Sequence, residues 1–255
     1  MKLFYKKSGE GKPLIIIHGL FGFGDNWAGM AKAFTERGFC CIVPDMRNHG
    51  RSDSNEEFDY QVMADDVAEL VHSEQLNSVS IIGHSMGGKV AMQFCISYPQ
   101  LADKLIVADI APRYYPPHHQ MVLKAIRAVD PAALQSRKGA ETILRSHLRE
   151  ESVIQFLLKN LYWRNEGELD WRFNHEIISR NIENAGAEIT SLRNIEVPAL
   201  FLRGENSDYI RSSDKVQIDA IFSDNSLISI PDSGHWLHVE NPKAFFEACI
   251  EFLET

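Results

Sequence analysis

The sequence of 255 residues has few cysteines and no long apolar segment near its start. Its four cysteines show no CxxC or Cys/His metal spacing, so we interpret them as buried reduced thiols and expect no metal site. The first apolar run, Leu14 to Ile17, is far shorter than a membrane span or the apolar region of a signal peptide. We therefore expect a cytoplasmic protein that does not insert into a membrane.

Positive charge is also scarce. Lys and Arg number 26 and Asp and Glu number 35, which gives a formal net charge of −9, and no run of like charge is present. Because nucleic-acid-binding domains usually carry a basic patch, we expect no nucleic-acid partner. The chain is 44% hydrophobic and 24% charged, which is ordinary for a soluble globular protein with one large core and room for an inserted subdomain.

Short, continuously apolar segments alternate with helical patterns along most of the chain. Continuous apolar runs are typical of strands that are covered on both faces, as in parallel sheets. The predicted strands are 14–19, 40–45, 79–85, 104–110, 199–205 and 226–234. The predicted helices are 25–38, 60–76, 85–98 and 242–253. This alternation predicts an α/β fold with a mostly parallel central sheet flanked by helices.

The alternation stops between residues 112 and 195. This span contains helical patterns at 120–130 and 151–162 but no convincing strand, and it is too long for one crossover. We predict a helical cap (lid) at 112–195, inserted into a core domain formed by 1–111 and 196–255. The predicted hinge into the cap is formed by Tyr114, Tyr115, Pro116 and Pro117.

The segment GHSMG, residues 83–87, matches the pattern GxSxG between a predicted strand and a predicted helix. A nucleophile on a sharp strand-to-helix turn needs small neighbours, which explains the glycines, so we predict Ser85 as the nucleophile. The following helix directs unpaired backbone N–H groups towards it, so the Met86 N–H is one predicted half of an oxyanion hole. The other half is predicted at Leu20, with Phe21 as the alternative.

A serine hydroxyl needs a general base, and His235 is the predicted one. It lies on a loop between the last predicted strand and the last predicted helix, and the order nucleophile, acid, base is that of α/β-hydrolases. His18 is expected to brace the oxyanion loop, and His84 is expected to be structural and to point away from the turn. No chemistry is assigned to His118, His119, His147, His175 and His238.

Two carboxylates compete for the acid position. Asp109 ends one predicted strand, whereas Asp208 follows the next core strand, where this fold most often has its acid three residues after the strand-ending glycine. Gly204 plus three is Ser207, so Asp208 is one residue late. Because a one-residue shift can turn a carboxylate away from the imidazole, we favour Asp109 and keep Asp208 as the alternative.

These motifs resemble those of α/β-hydrolase-fold serine esterases, and more narrowly of the small bacterial YbfF-type branch. The resemblance extends through HGLFG with DNW, DMRNHGRS, GHSMGGKVAM, DIAP, VIQFLLK, WRF, PALFLRGENS and GHWLHVENP. It implies an α/β-hydrolase fold with a helical cap, activity on acyl esters or acyl-CoA thioesters, and no cofactor. In that branch the acid lies in the DIAP motif, which supports Asp109.

The predicted reaction is acyl transfer to water through an acyl-enzyme on Ser85. The predicted acyl-chain lining is Phe21, Met86, Phe156, Trp171, Phe173 and Trp236. A carbon–carbon hydrolase or a cofactor-free perhydrolase would use the same triad, and a non-catalytic ligand-binding protein on this scaffold is a further alternative. A halide-displacing or epoxide-opening enzyme would need Asp at position 85. The physiological acyl group and the oligomeric state are not predicted.

Overall fold

The computed structural model describes residues 1–116, 119–134, 136–165 and 167–255. Two residues named above, Pro117 of the predicted hinge and His118, lie outside the described residues. The strands are β1 (Tyr5–Ser8), β2 (Lys12–Ile17), β3 (Phe39–Pro44), β4 (Val79–His84), β5 (Ala102–Ala108), β6 (Leu161–Asn165), β7 (Glu168–Trp171), β8 (Ala199–Gly204) and β9 (Asn225–Ile230).

The central sheet has seven strands among the described residues, in the order β1-β3-β2-β4-β5-β8-β9. Only the edge strand β1 runs antiparallel, and the other pairs of this sheet are parallel. The prediction of a mostly parallel central sheet is confirmed. Parallel pairing also brings the carboxyl ends of the strands to one edge, where ligands bind in open α/β sheets.

Helices cover both faces of the sheet. They are α1 (Ala28–Thr35), α2 (Tyr60–Ser73), α3 (Met86–Ser97), α4 (Gln120–Ala128), α5 (Arg137–His147), α6 (Glu151–Lys159), α7 (His175–Arg180), α8 (Ile182–Gly186), α9 (Lys215–Ile221), α10 (Leu237–Glu240) and α11 (Pro242–Glu254). Residues of α1 and α11 share one apolar cluster with Leu14 and Ile16, whereas α2 and α3 share the other cluster with Ile15 and Ile17. Successive side chains of β2 thus face opposite layers, which explains its unbroken apolar sequence.

Between β5 and β8 the residues that the structure describes form the helices α4 to α8 and a two-stranded hairpin, β6–β7. The expectation that this span contains no strand is wrong, because Leu161 pairs with Trp171 and Trp163 with Leu169 in antiparallel register. The hairpin is short and buries alternate residues of β7 only, so its period-two pattern is too brief to be distinct in the sequence. The boundaries 112 and 195 of the cap stay a prediction.

Lys89 connects the core to both ends of this span. Its side chain lies fully buried on α3, and its Nζ donates hydrogen bonds to the backbone carbonyl oxygens of Arg113 (2.9 Å), Gly186 (3.3 Å) and Ala187. Arg113 precedes α4, and Gly186 ends α8. The ammonium also lies 4.8 Å from the centroid of the Tyr115 ring, and burial lowers the pKa of Lys89 to about 7.

The structure also describes the cysteines, the lengths of the apolar helices and the grouping of possible metal ligands. Cys40, Cys41, Cys95 and Cys249 are free and buried. Within the described ranges, no helix is both long and apolar enough to cross a bilayer. No cluster of three His, Cys, Asp or Glu side chains in the same ranges is arranged to hold a metal ion.

Candidate active site

Ser85 lies at the turn between β4 and α3, and its backbone has φ 52° and ψ −120°. A non-glycine residue rarely adopts a positive φ, and such strain is common at functional sites. The surrounding glycines make this turn possible. A Cβ on Gly83 would lie 2.1 Å from the carbonyl oxygen of Gly87, and a Cβ on Gly87 would lie 2.5 Å from that of Ile17. The composition of this segment therefore follows from close backbone packing around Ser85.

Asp109 directly follows β5 and is completely buried, with a φ of 52°. Its Oδ2 lies 2.8 Å from Nδ1 of His235, and its Oδ1 accepts a hydrogen bond from the Gly204 N–H at 3.0 Å. Burial raises the pKa of Asp109 to about 6, although hydrogen bonds from Ser207 and Gly204 act in the opposite direction. The structure thus places a buried carboxylate against one ring nitrogen of His235.

Ser207 also contacts this carboxylate, since its hydroxyl donates to Oδ2 of Asp109. It occupies the position three residues after Gly204, where the fold most often has its acid. Asp208 is exposed, and its backbone carbonyl accepts a hydrogen bond from Arg113. The structure therefore brings Asp109, and not the alternative Asp208, to His235. The contact of Ser207 with Asp109 is not predicted from the sequence, although the position of Ser207 after Gly204 is noted there.

His235 lies half-buried on the loop between β9 and α10. The Tyr209 ring stacks on the imidazole, with 3.8 Å between centroids and 16° between planes. The backbone carbonyl of His235 accepts a hydrogen bond from Nε2 of His84 at 2.8 Å. His84 therefore does not point away from the site as expected, because the loop after β9 passes over the end of β4 and meets its ring. Tyr209 was not identified from the sequence.

The loop at residues 18–22 holds the candidate oxyanion donors. Phe21 has a φ of 62°, and its N–H donates to Nε2 of His49 at 3.1 Å, so this group is already engaged. The Leu20 N–H makes no hydrogen bond to the described residues. The Met86 N–H lies in the first turn of α3, where backbone donors have no intrahelical partner. This geometry favours Leu20 over Phe21 as the partner of Met86.

Two buried histidines hold the same loop in place. His18 donates from Nδ1 to the Gly19 carbonyl (2.8 Å) and accepts at Nε2 from the Met46 N–H (3.0 Å), which are bracing contacts of the kind expected. Burial lowers the pKa of His18 to about 4 and that of His49 to about 3, so both rings are neutral at physiological pH. His49 was missed, although its place in DMRNHGRS, directly after a predicted strand, was a usable signal.

Ser85 and His235 line the same cavity, which has a volume of about 270 Å³. Two parts of its wall differ in chemistry. We call the part from α4 and α6 the apolar arm, which consists of Val122, Val153, Phe156 and Leu157. We call one part of the wall that the core contributes the polar arm, which consists of Asn26, Trp27, His84 and His238.

The predicted lining residues are only partly brought to this cavity. Phe21, Phe156 and Trp236 line it, and Met86 lines a recess of about 20 Å³ that also contains Ser85. The rings of Phe173 and Phe21 are 5.1 Å apart, and the Trp171 ring stacks on Phe173 at 5.2 Å. Trp171 and Phe173 thus lie behind Phe21, because β7 and the residues after it pack into the interior.

The chain is similar to proteins of known family and structure. The family model of the alpha/beta hydrolase fold matches residues 12–242. The esterase YbfF of Escherichia coli (strain K12) is 36% identical over 243 residues, which cover 94% of this chain and 92% of the relative. The sn-1-specific diacylglycerol lipase ABHD11 of Danio rerio is 37% identical over 253 residues, which cover 96% of this chain and 80% of the relative.

A solved structure described as a marine microorganism esterase is also similar. It is 43% identical in sequence and superposes with a TM-score of 0.95. The match covers 98% of this chain and 99% of that chain. The similarity therefore includes the residues between β5 and β8 as well as the central sheet.

Proposed function

This chain belongs to the alpha/beta hydrolase family, and from this premise we propose that it is a serine esterase with Ser85, His235 and Asp109 as its catalytic triad. The contact between His235 Nδ1 and Asp109 Oδ2 at 2.8 Å, beside the cavity that Ser85 lines, is the observation on which the proposal mainly rests. A buried carboxylate in this position holds the imidazole in the tautomer that presents a bare Nε2 to the nucleophile.

In the proposed mechanism, the Ser85 hydroxyl attacks the ester carbonyl carbon while His235 accepts its proton. The negative charge that develops on the carbonyl oxygen is stabilised by the N–H groups of Leu20 and Met86. Asp109 stabilises the imidazolium. When the tetrahedral intermediate collapses, His235 donates the proton to the leaving alcohol, and an acyl-enzyme remains. Water then attacks the acyl carbon while His235 accepts its proton, and the bond to Ser85 Oγ breaks as His235 returns that proton to the serine oxygen and the acid is released.

The environment of Asp109 supports this role. The carboxylate accepts hydrogen bonds from the Gly204 N–H and the Ser207 hydroxyl as well as contacting His235, so its orientation is held from several directions. The Tyr209 ring stacks on the imidazole of His235 and restricts the rotation of that ring. Since triad chemistry depends on angstrom-level placement, we propose Ser207 and Tyr209 as positioning residues.

The proposed substrate class is carboxylic esters with an apolar acyl chain. The apolar arm supports this, since its four residues are apolar and line the same cavity as Ser85. Two similar proteins are named as a diacylglycerol lipase and as an esterase, and these names support ester cleavage by this chain. Acyl-CoA thioesters present an equivalent carbonyl and stay a proposed second class. A cytoplasmic location stays a prediction, supported by the four free, buried cysteines.

Labelling with a fluorophosphonate and the variant Ser85→Ala test the proposal together. We expect stoichiometric labelling of the purified protein, and a loss of p-nitrophenyl butyrate hydrolysis of about 10⁴-fold or more in Ser85→Ala, as for other triad nucleophiles. Ser97→Ala, at the opposite end of α3, is the matched control and should keep both properties. Undiminished hydrolysis by Ser85→Ala would refute the proposal.

A substrate panel separates the remaining alternatives. It contains p-nitrophenyl esters, acyl-CoA thioesters and vinylogous diketones, together with an assay for peracid formation from hydrogen peroxide. We expect the highest kcat/KM for the esters. If the diketones or peracid formation gave the highest value instead, the carbon–carbon hydrolase or the perhydrolase would replace the esterase assignment.

A further inference from the structure

The polar arm contains an imidazole that the proposed mechanism does not use. His238 is 8% exposed, and its ring stacks on Trp27 with 4.1 Å between centroids and 8° between planes. Its Nδ1 is buried without a hydrogen-bond partner. Burial, with smaller contributions from His84 and His235, lowers the pKa of His238 well below its usual value, so the ring is neutral. A neutral imidazole that lines a cavity has one donor nitrogen and one acceptor nitrogen to satisfy.

The surroundings of this ring determine which nitrogen carries the proton. An N–H that is buried without a partner is rare in proteins, whereas an unused lone pair is more common, so the sealed Nδ1 is the bare nitrogen. The proton then lies on Nε2, which also makes no hydrogen bond to the described residues. His238 therefore provides a neutral N–H donor for a molecule bound in the cavity.

Asn26 provides a second donor in the polar arm. Its Oδ1 accepts a hydrogen bond from the Phe23 N–H at 3.0 Å, and this contact fixes which end of the amide is which. The Nδ2 group makes no hydrogen bond to the described residues, so its two N–H bonds remain for a ligand. His84, the other imidazole of this arm, is neutral because burial lowers its pKa to about 3. Its one N–H is used by the His235 carbonyl, so among the imidazole and amide side chains of the polar arm the donors offered to a ligand are those of His238 and Asn26, and both are uncharged.

We propose that the polar arm binds a neutral oxygen on the alcohol half of the ester, with His238 Nε2–H and Asn26 Nδ2–H as its donors. This inference rests on the proposed esterase function. An apolar acyl chain is complementary to the apolar side chains of the apolar arm. The oxygen of the leaving alcohol must reach His235, which lies three residues before His238 in the sequence. The substrate class is therefore esters of alcohols that carry a hydroxyl or ether oxygen near the ester bond.

The test compares 1-butyrylglycerol with propyl butyrate, which share the acyl chain and the three-carbon alcohol skeleton. The measured quantity is the ratio of their kcat/KM values. His238→Phe keeps an aromatic ring against Trp27 and removes both nitrogens, and we expect it to lower this ratio about tenfold, the effect of losing a well-placed hydrogen bond. Asn26→Asp keeps the acceptor for Phe23 N–H, removes both Nδ2 donors, and should also lower the ratio.

The control variant is Phe156→Leu, in the apolar arm, which should leave the ratio unchanged whatever it does to the absolute rates. A ratio that is unchanged in both His238→Phe and Asn26→Asp would overturn the proposal. The proposal would also be overturned if these variants selectively lowered kcat/KM for propyl 3-hydroxybutyrate, whose extra oxygen lies on the acyl half of the ester. Failure of the proposed esterase function gives a different result, because the unsubstituted protein would then not hydrolyse propyl butyrate, or Ser85→Ala would hydrolyse it at the same rate.

Discussion

The core and the residues between β5 and β8 contribute to the same cavity in different ways. In the core, Ser85 follows β4, Asp109 follows β5, and His235 lies on the loop after β9, so the chemistry stands at the carboxyl ends of parallel strands. Hydrogen bonds along the sheet fix these positions. The apolar arm comes instead from the helices α4 and α6, which lie in the span between β5 and β8. Under the proposed function, the core positions the reacting groups and the cap selects the substrate.

Polar contacts join the cap to the core at several places. Lys89 donates to carbonyl oxygens at both ends of the span. The Gly50 N–H donates to the Arg172 carbonyl, and the Asn174 side chain donates to Ser54. If this division holds, variants of the core site should reduce turnover of every ester. Variants of the cap or of its connections should change the relative rates of different esters.

The largest expected effect is at the acid. Asp109→Asn should lower kcat by about 10⁴-fold on every ester, because the amide favours the wrong tautomer of His235. Asp208→Asn changes an exposed side chain and should alter kcat by less than about twofold. Steady-state kinetics of both purified variants on p-nitrophenyl acetate and octanoate provide the comparison. A severe loss in Asp208→Asn alone would show that our assignment of the acid is wrong.

A smaller effect is expected at the connection between core and cap. Lys89→Met keeps the unbranched apolar stem and removes the Nζ donors to the three carbonyls. Among the described residues only the Gly186 carbonyl has another donor, the Tyr115 N–H, so the apolar arm should lose its fixed position. We expect kcat/KM for p-nitrophenyl octanoate to fall about tenfold relative to that for acetate, the size of a lost charge-assisted hydrogen bond.

Lys104→Met is the matched control for this prediction. Lys104 also donates to backbone carbonyls, those of Phe252 (2.9 Å) and Leu253 (3.4 Å), but it lies on β5 and contacts the end of α11. The octanoate-to-acetate ratio should not change in this variant. Equal changes in both lysine variants would mean that the ratio reports general loss of stability and not the position of the cap.

The smallest expected effect is within the apolar arm. Phe156 is half-buried, and its ring lies 5.9 Å from that of Trp236 at the wall of the cavity. Phe156→Ala removes apolar contact with a long acyl chain and should lower kcat/KM for octanoate about fivefold, with acetate within about twofold. Trp163→Ala, at a 46% exposed position of β6, should leave both values unchanged. An equal loss on both esters would argue against an acyl-chain role for Phe156.

Predictability from sequence differs between the two regions for a physical reason. The turn at Ser85 is encoded locally, because Gly83 and Gly87 are needed where backbone atoms would otherwise collide with a Cβ. The sheet is equally readable, since strands buried on both faces are apolar throughout. The hairpin β6–β7 was missed because it is short. Trp171 is predicted to line the cavity, because the sequence alone does not distinguish an aromatic residue of the core from one of a binding site.

The sequence by itself determined the type of sheet, the nucleophilic turn and the late histidine, because each depends on the backbone requirements of neighbouring residues. Only the tertiary structure decided which groups meet His235 from distant parts of the chain. Asp109, Tyr209 and His84 approach it from three separate segments, and Ser207, two residues before Tyr209, donates a hydrogen bond to Asp109. Such contacts depend on strand order and on the path of loops above the sheet, which no local pattern of residues encodes.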